Sequence, residues 1–167
     1  EKAIQETHAT VVGFHYYPRE WLKDNYVLAC RLANLSGYWY FPKFVMMPDT
    51  IRTGSDKNYI RLTWENHGVA PAYHKYNLYV KFLNKNNGKS FIQQLTESDN
   101  LTWIPNEIVA EQCAIHPDNY LIRGKCDILI GMRDDCEFHK NRFIELAVKK
   151  ERETEPGWYK LGEVMVK

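Results

Sequence analysis

The sequence predicts a mainly β protein, an antiparallel β-sandwich of seven to eight strands preceded by a short β-α segment. The sandwich is expected to be immunoglobulin/fibronectin-like or jelly-roll-like. After residue 37, apolar and polar residues alternate with period two, whereas residues 21–35 follow the period of a helix. Turn residues separate most of the alternating stretches. Aromatic residues make up 14% of the 167 residues, which suits packing on pleated surfaces.

The first 36 residues differ in kind from the rest. Residues 9–14 form a short apolar run of the kind that buried strands show, and residues 15–20 interrupt it as a loop. Residues 21–35 then follow a helical period, and Gly37 stands where a left-handed residue commonly ends a helix. The segment therefore predicts one β-α step of an α/β fold.

The sandwich strands follow Gly37 in order. Strands are predicted over residues 38–45, 58–65, 76–82, 90–95, 126–130, 143–148 and 158–166. Pro42 interrupts the first of them, so we expect an edge strand or a bulge there. Residues 84–88 carry an Asn-Gly turn signal, which predicts a hairpin between the third and fourth strands.

Charge and hydropathy exclude two classes of partner. The formal net charge is +1, so there is no strongly basic field for nucleic acid or an anionic membrane. No apolar run reaches 18 residues. We therefore expect no nucleic-acid and no membrane partner. The chain begins with glutamate, and we expect it to be a processed product or an excised fragment.

Three segments carry a resemblance to a known domain. They are Trp64-Glu-Asn-His-Gly-Val-Ala-Pro-Ala-Tyr73, Gly37-Tyr38-Trp39 and Gly157-Trp-Tyr-Lys-Leu-Gly162. Residues 37–167 resemble the uncharacterised β-sandwich domain that follows a (β/α)8 barrel in many glycoside-hydrolase-like proteins. Residues 1–36 resemble the eighth β-α unit of such a barrel, which implies a domain boundary between residues 36 and 37.

This resemblance implies a non-catalytic, C-terminal accessory domain of a carbohydrate-active protein. It would support the barrel of the same parent chain and bind an oligo- or polysaccharide. The parent would be a glycoside hydrolase that is secreted or held in the periplasm or cell envelope, and its catalytic carboxylates would precede this segment. The alternative is a purely structural or protein-interaction β-sandwich with no sugar ligand.

Candidate ligand-binding residues on the barrel-cleft side lie in and after the loop that follows the predicted first strand. Aromatic rings stack on sugar faces and arginine reaches hydroxyls or carboxylates, and barrel sites form at this end of the strands. The candidates are His15, Tyr16, Tyr17, Arg19 and Trp21. The alternative is that these side chains only pack between barrel and sandwich.

Candidate residues on the sandwich lie in the segment 64–73 and just after it. Asn66, Gly68 and Pro71 suit a corner that leads the chain out of the sheet, which favours a structural role. The functional alternative is a ligand rim made of His67, Tyr73, His74 and Tyr76.

Trp103 is the remaining candidate on the sandwich, because it stands in a polar, loop-like stretch. An exposed ring there would form a sugar platform, and a buried ring would close one end of the sandwich. The exposure of Trp103, Tyr73 and Trp39 discriminates a sugar-binding from a purely structural domain.

The cysteines leave several pairings open. Cys30, Cys113, Cys126 and Cys136 permit two disulfides, or one among the last three with Cys30 reduced. Two C-x-x-H spacings could together offer a zinc set: Cys113 with His116, and Cys136 with His139. Three acidic residues could ligate calcium: Asp134, Asp135 and Glu137. Chance spacing explains the zinc pattern, and adjacent aspartates suit a turn, so we expect no metal. The sequence contains no Gly-rich phosphate loop, no H-E-x-x-H and no G-x-S-x-G, so we expect no cofactor and no catalytic residue in this chain.

Overall fold

Two β-sheets packed face to face form the body of the molecule, as the sequence predicts. The structure is a computed structural model that describes residues 1–13, 18–117, 122–136 and 142–167. Its α-helices are α1 (Lys2–Glu6), α2 (Pro18–Asp24) and α3 (Tyr26–Leu35). Its strands are β1 (Tyr40–Met46), β2 (Thr50–Ile51), β3 (Tyr59–Asn66), β4 (Asn77–Asn84), β5 (Ser90–Gln94), β6 (Ile108–Ala114), β7 (Gly124–Asp134), β8 (Arg142–Ile144), β9 (Glu153–Glu155) and β10 (Trp158–Val166).

One sheet has three strands in the order β1-β3-β6, and both of its pairings are antiparallel. The other has the order β2-β10-β7-β4-β5, with β8 paired to β7 and β9 paired to β10. All its pairings are antiparallel except the two-residue pairing of β2 with β10. The described residues thus form ten strands where seven to eight were predicted: β2 and β9 are only two or three residues long, and β6 was not predicted.

The core lies between the sheets and follows the predicted alternation. In the three-stranded sheet, β3 buries Ile60, Leu62 and Trp64. In the larger sheet, β4 buries Leu78, Val80 and Phe82, and β7 buries Cys126, Ile128 and Ile130. These side chains belong to one hydrophobic cluster, which joins the two sheets into one sandwich.

Several local predictions are confirmed. β1 is an edge strand, and its register shifts between Pro42 and Phe44. The hairpin between β4 and β5 turns through Gly88, which has φ +68°. Gly37 follows α3 with φ +85°, the left-handed conformation expected beyond a helix end. The strand predicted over residues 143–148 is shorter, since β8 ends at Ile144.

The N-terminal segment departs from the predicted β-α unit. Residues 9–13 form no strand, and Phe14 lies outside the described residues. A short helix, α1, precedes them. The helix predicted over residues 21–35 begins earlier, at Pro18, and is divided at Asn25, whose φ and ψ are −127° and 29°. The Asn25 side chain donates to the Trp21 carbonyl at 3.1 Å, a local bond that competes with the helix ladder.

None of the helices in the described ranges has the length and apolar character that crossing a bilayer would require.

Candidate functional site

The candidates on the barrel-cleft side are only partly described. His15, Tyr16 and Tyr17 lie outside the described residues. Arg19 is exposed on α2, and Trp21 on the same helix is half-buried. The proposed cleft therefore stays a prediction for these five residues.

Trp103 is not a sugar platform, because its ring is only 1% exposed. The ring stacks on Trp64 with centroids 4.0 Å apart and is nearly perpendicular to the Tyr40 ring, with centroids 4.9 Å apart. Its indole N–H donates to Glu111 Oε1 at 2.9 Å. Trp103 therefore closes one part of the core, and the structure corrects its assignment as a ligand-binding residue.

Tyr73 and His74 are both exposed on the segment that leads into β4. Tyr76 is close to them but buried, and its hydroxyl lies 2.6 Å from the hydroxyl of Tyr38. His67, the fourth residue of the predicted rim, lies elsewhere, with Nε2 2.9 Å from Glu65 Oε2. The structure thus brings together three of the four residues of the predicted rim.

These residues line two adjoining open cavities at one end of the sandwich, which we call the end groove. Tyr38, His74 and Tyr76 line both cavities. The first, of about 480 Å³, is completed by Thr10, Val11, Ser36, Gly37, Trp39 and Tyr73. The second, of about 540 Å³, is completed by Lys75, Asn77, Asp134, Asp135, Cys136, Arg142 and Ile144. One half of the groove is therefore aromatic and the other half is polar.

Two aromatic rings stand exposed at the aromatic half. Trp39, immediately before β1, is 42% exposed, and Tyr73 is 66% exposed. Both side chains line the same cavity. Exposed tryptophan and tyrosine at a concave surface combine a flat apolar face with a polar tip, as many binding sites do.

Asn66 fixes the backbone beneath Trp39. Its Oδ1 accepts from the backbone N–H of Trp39 and of Gly68, both at 3.0 Å. Its Nδ2 donates to the carbonyls of Ala70 at 2.9 Å and of Trp103 at 3.0 Å. The predicted structural role of the 64–73 corner is therefore confirmed, and the corner also positions a groove residue.

Asn100 does the same for the segment around His74. It is 1% exposed, its Oδ1 accepts from the Tyr76 N–H at 2.8 Å, and its Nδ2 donates to the His74 carbonyl at 2.9 Å. Asn100 also begins an N-glycosylation pattern, Asn100-Leu101-Thr102; Asn34-Leu35-Ser36 is a second one. The burial of Asn100 leaves its amide no room for a glycan, so its match carries no weight for localisation.

Asp135 is the most tightly held polar group of the groove. Its Oδ2 accepts from Asn77 Nδ2 and from the Tyr79 hydroxyl, both at 2.6 Å. The Nε of Arg133 lies 3.4 Å from its Oδ1, and the guanidinium stacks 4.0 Å over the Tyr79 ring. Burial raises the pKa of Asp135, but the Tyr79 and Asn77 hydrogen bonds and the Arg133 charge outweigh it, so the pKa is lowered. The carboxylate is therefore ionised and internally compensated.

The sequence leaves the pairing of the four cysteines open, and Cys30, Cys113 and Cys126 are free thiols. Cys113 and Cys126 are buried thiols, so no disulfide joins any two of the last three cysteines. Burial raises the pKa of Cys113 to about 12 and that of Cys126 to about 11. Within the described ranges, no three His, Cys, Asp or Glu side chains are grouped as metal ligands. His139 and Glu137 of the zinc and calcium alternatives lie outside those ranges.

Comparison with known proteins adds little. No model of a known protein family and no curated protein matches the sequence. Among solved structures, the chain is similar to the Pseudomonas fluorescens alkylpurine DNA glycosylase AlkC bound to DNA containing an abasic site analog, with a TM-score of 0.35 and 15% identity. The match covers 68% of this chain and 32% of that chain, so this chain spans about a third of that protein. A similarity this weak carries no functional argument.

Sequence patterns indicate only part of the groove. They point to Tyr73, His74 and Tyr76 as rim residues, and to Asp134 and Asp135 only as a calcium alternative. They do not point to Asn77 or Arg142, and Trp39 enters only as a test of exposure. Trp39 lies within the strand predicted over residues 38–45, where an aromatic residue is ordinarily a core residue, but the observed β1 begins only at Tyr40. Arg142 reaches the groove only because β8 pairs with β7, a contact that local sequence patterns do not reveal.

Proposed function

We propose that this chain is the non-catalytic accessory β-sandwich of a carbohydrate-active, glycoside-hydrolase-like protein, and that its end groove binds polysaccharide. One observation carries the proposal: two exposed rings, Trp39 and Tyr73, line a cavity that continues into a polar one. This exposure favours sugar binding over a purely structural domain, although Trp103 is buried.

The chemistry of the groove suits a sugar chain. The faces of pyranose rings carry C–H groups that pack on aromatic rings, and their edges carry hydroxyls that need hydrogen-bond partners. The polar half offers such partners, including the paired hydroxyls of Tyr38 and Tyr76. An open groove with both kinds of surface would accept a segment of a polymer.

The N-terminal helices supply a second, separate surface. Leu22, Tyr26, Val27 and Leu28 are large apolar residues of α2 and α3 that stand exposed. Such a patch is typical of a protein interface. We propose that the (β/α)8 barrel of the same parent protein packs on it, and that the parent is secreted or held in the cell envelope.

The alternative function is a structural or protein-interaction sandwich with no sugar ligand. The apolar patch of the helices favours it, because that patch needs a protein partner and no glycan. The groove decides between the two functions, since only the accessory domain of the main proposal uses its exposed rings.

The test is native affinity electrophoresis of the chain through gels that contain neutral or acidic polysaccharides. The test variant is the double substitution Trp39→Ala with Tyr73→Ala. The matched control is Phe44→Ala, because Phe44 on β1 is 66% exposed and lines a different cavity, on the three-stranded sheet. Circular dichroism and thermal unfolding establish that all variants remain folded.

We expect at least one polysaccharide to retard the wild-type chain and the Phe44→Ala variant equally. The double variant should migrate as if the polysaccharide were absent, because both stacking faces are gone. If the double variant is still retarded, the polysaccharide binds outside the end groove. Free migration of the wild type through every gel would overturn sugar binding and leave the structural function.

A further inference from the structure

The charges of the end groove are compensated unequally. Asp135 is tied to Asn77, Tyr79 and Arg133, as described above. Lys75, on the rim, lies 3.7 Å from Asp99 Oδ1, a half-exposed ion pair. These groups already have a counter-charge within the chain, so they gain little from a charged ligand.

Arg142 differs from them. It begins β8, is exposed and lines the polar half of the groove. Within the described part of the chain, no carboxylate lies at ion-pair distance from its guanidinium. Asp134, its neighbour across the β7–β8 pairing, accepts instead from the Cys136 N–H at 3.1 Å. The groove thus contains a cation without a counter-charge from those residues.

Arg142 lines the same cavity as Tyr38, His74 and Tyr76, the residues that the two cavities share. Burial and the hydrogen bond to Tyr76 raise the pKa of Tyr38, and the positive charge of Arg142 acts in the opposite direction. Arg142 therefore acts on the residue that joins the aromatic and the polar halves. A sugar chain that spans both halves of the groove would bring substituents into the cavity that Arg142 lines.

We infer that the end groove selects an acidic sugar, a hexuronate whose carboxylate pairs with Arg142. This inference rests on the polysaccharide-binding function proposed above and names its ligand class. A guanidinium presents parallel N–H donors that match the two oxygens of a planar carboxylate. The whole chain carries a net charge of only +1, so a preference for an acidic polymer would come from this local site rather than from a general positive field.

The test compares two polymers that share one backbone, polygalacturonate and its methyl ester, in which the carboxylate is masked. Alginate serves as a second polyuronate. Binding is measured at neutral pH with the wild type, Arg142→Gln and Arg52→Gln. Arg52 is an exposed arginine outside the lining of the groove, so Arg52→Gln controls for the loss of one positive charge.

We expect the wild type and Arg52→Gln to bind a polyuronate at least about tenfold more tightly than the methyl ester. Arg142→Gln should lose this preference and keep its thermal stability. The preference should also weaken as salt is added.

Three results would overturn the inference. Equal affinity for polygalacturonate and its methyl ester would show that the groove does not recognise the carboxylate. The polysaccharide-binding function would then stand without the preference for an acidic sugar. A preference that survives in Arg142→Gln would place its origin elsewhere. Failure to bind any polyuronate, ester or neutral polysaccharide would overturn the proposed function together with the inference.

Discussion

The substitution Asn66→Ala removes all four hydrogen bonds that the Asn66 side chain makes at the corner between β3 and the following loop. Two backbone donors, of Trp39 and Gly68, and two backbone acceptors, of Ala70 and Trp103, lose their partner. Asn66 is only 4% exposed, so water does not readily replace the side chain. Each orphaned group then retains its desolvation cost.

The expected loss follows from this count. A net contribution of about 1 kcal/mol for each of four hydrogen bonds gives a loss of about 4 kcal/mol in the free energy of unfolding. A domain of this size has about 5–15 kcal/mol in total. The variant should therefore be folded but strongly destabilised, or partly unfolded at room temperature.

The assay is urea unfolding followed by tryptophan fluorescence, with stability taken from the midpoint and slope. Asn66→Asp is the matched variant, because it keeps the shape and the accepting oxygen but turns an oxygen toward two carbonyls. We expect it to lose at least about 2 kcal/mol. Asn34→Ala is the control, since Asn34 is exposed on α3, and we expect a change within about 0.5 kcal/mol.

A loss below about 1 kcal/mol in Asn66→Ala would refute this reasoning, because it would mean that the four bonds contribute nothing net. Equal stability of Asn66→Asp and the wild type would also refute it, since the donated bonds would then be dispensable.

Three further predictions concern stability and reactivity. Gly68→Ala should lose about 3 kcal/mol or more, because its Cβ would lie 2.2 Å from a backbone carbonyl oxygen, whereas Gly13→Ala meets nothing within 4 Å; equal urea midpoints would contradict this. Three lysines around Glu163 hold its pKa well below its usual range, so the stability it contributes above about pH 4.3 should be lost as the pH falls further. The urea midpoint of Glu163→Gln should then fall less with acidification than that of the wild type. If the two midpoints fall equally with pH, Glu163 does not gain stability from the three lysines. A thiol reagent should find two more reactive thiols after denaturation than before, because Cys113 and Cys126 are buried with raised pKa, and an unchanged number would show that they are accessible or oxidised.

The sandwich was predictable wherever apolar side chains alternate without interruption. β3 shows this best, because every second residue from Ile60 to Trp64 is buried. β6 was missed because Glu111 stands on the same face as buried Cys113. The Glu111 carboxylate accepts hydrogen bonds from the Ser98 hydroxyl and from the Trp103 indole N–H. These bonds compensate the cost of turning a charged residue toward the core.

The prediction of a strand at residues 9–14 was wrong over the described residues for a different reason. The apolar run at residues 9–14 has the composition of a buried strand, but the part that is described has no partner strand in the structure. Only the carbonyl of Ala9 is tied to the sandwich, by the Gly37 N–H at 2.9 Å. Periodicity and composition indicate whether a segment suits a buried strand. They do not indicate whether a neighbouring strand is available to pair with it.

The candidate site was predictable only in part. Tyr73 and His74 are near one another in sequence, so their proximity needed no long-range contact. Trp103 was misleading because the polar residues around it serve local caps, as when the Asp99 carboxylate accepts from the Leu101 N–H. The ring itself turns inward to stack on Trp64. Polar neighbours therefore do not establish that a ring is exposed.

Sugar binding in the end groove is tested most directly by calorimetric titration with the polysaccharide that retards the wild type most in the gels. Wild type, Trp39→Ala and Phe44→Ala are titrated in parallel. We predict at least about tenfold weaker binding for Trp39→Ala and unchanged binding for Phe44→Ala. Equal affinity in all three proteins, or no binding heat with any polysaccharide, would contradict a sugar site in the groove.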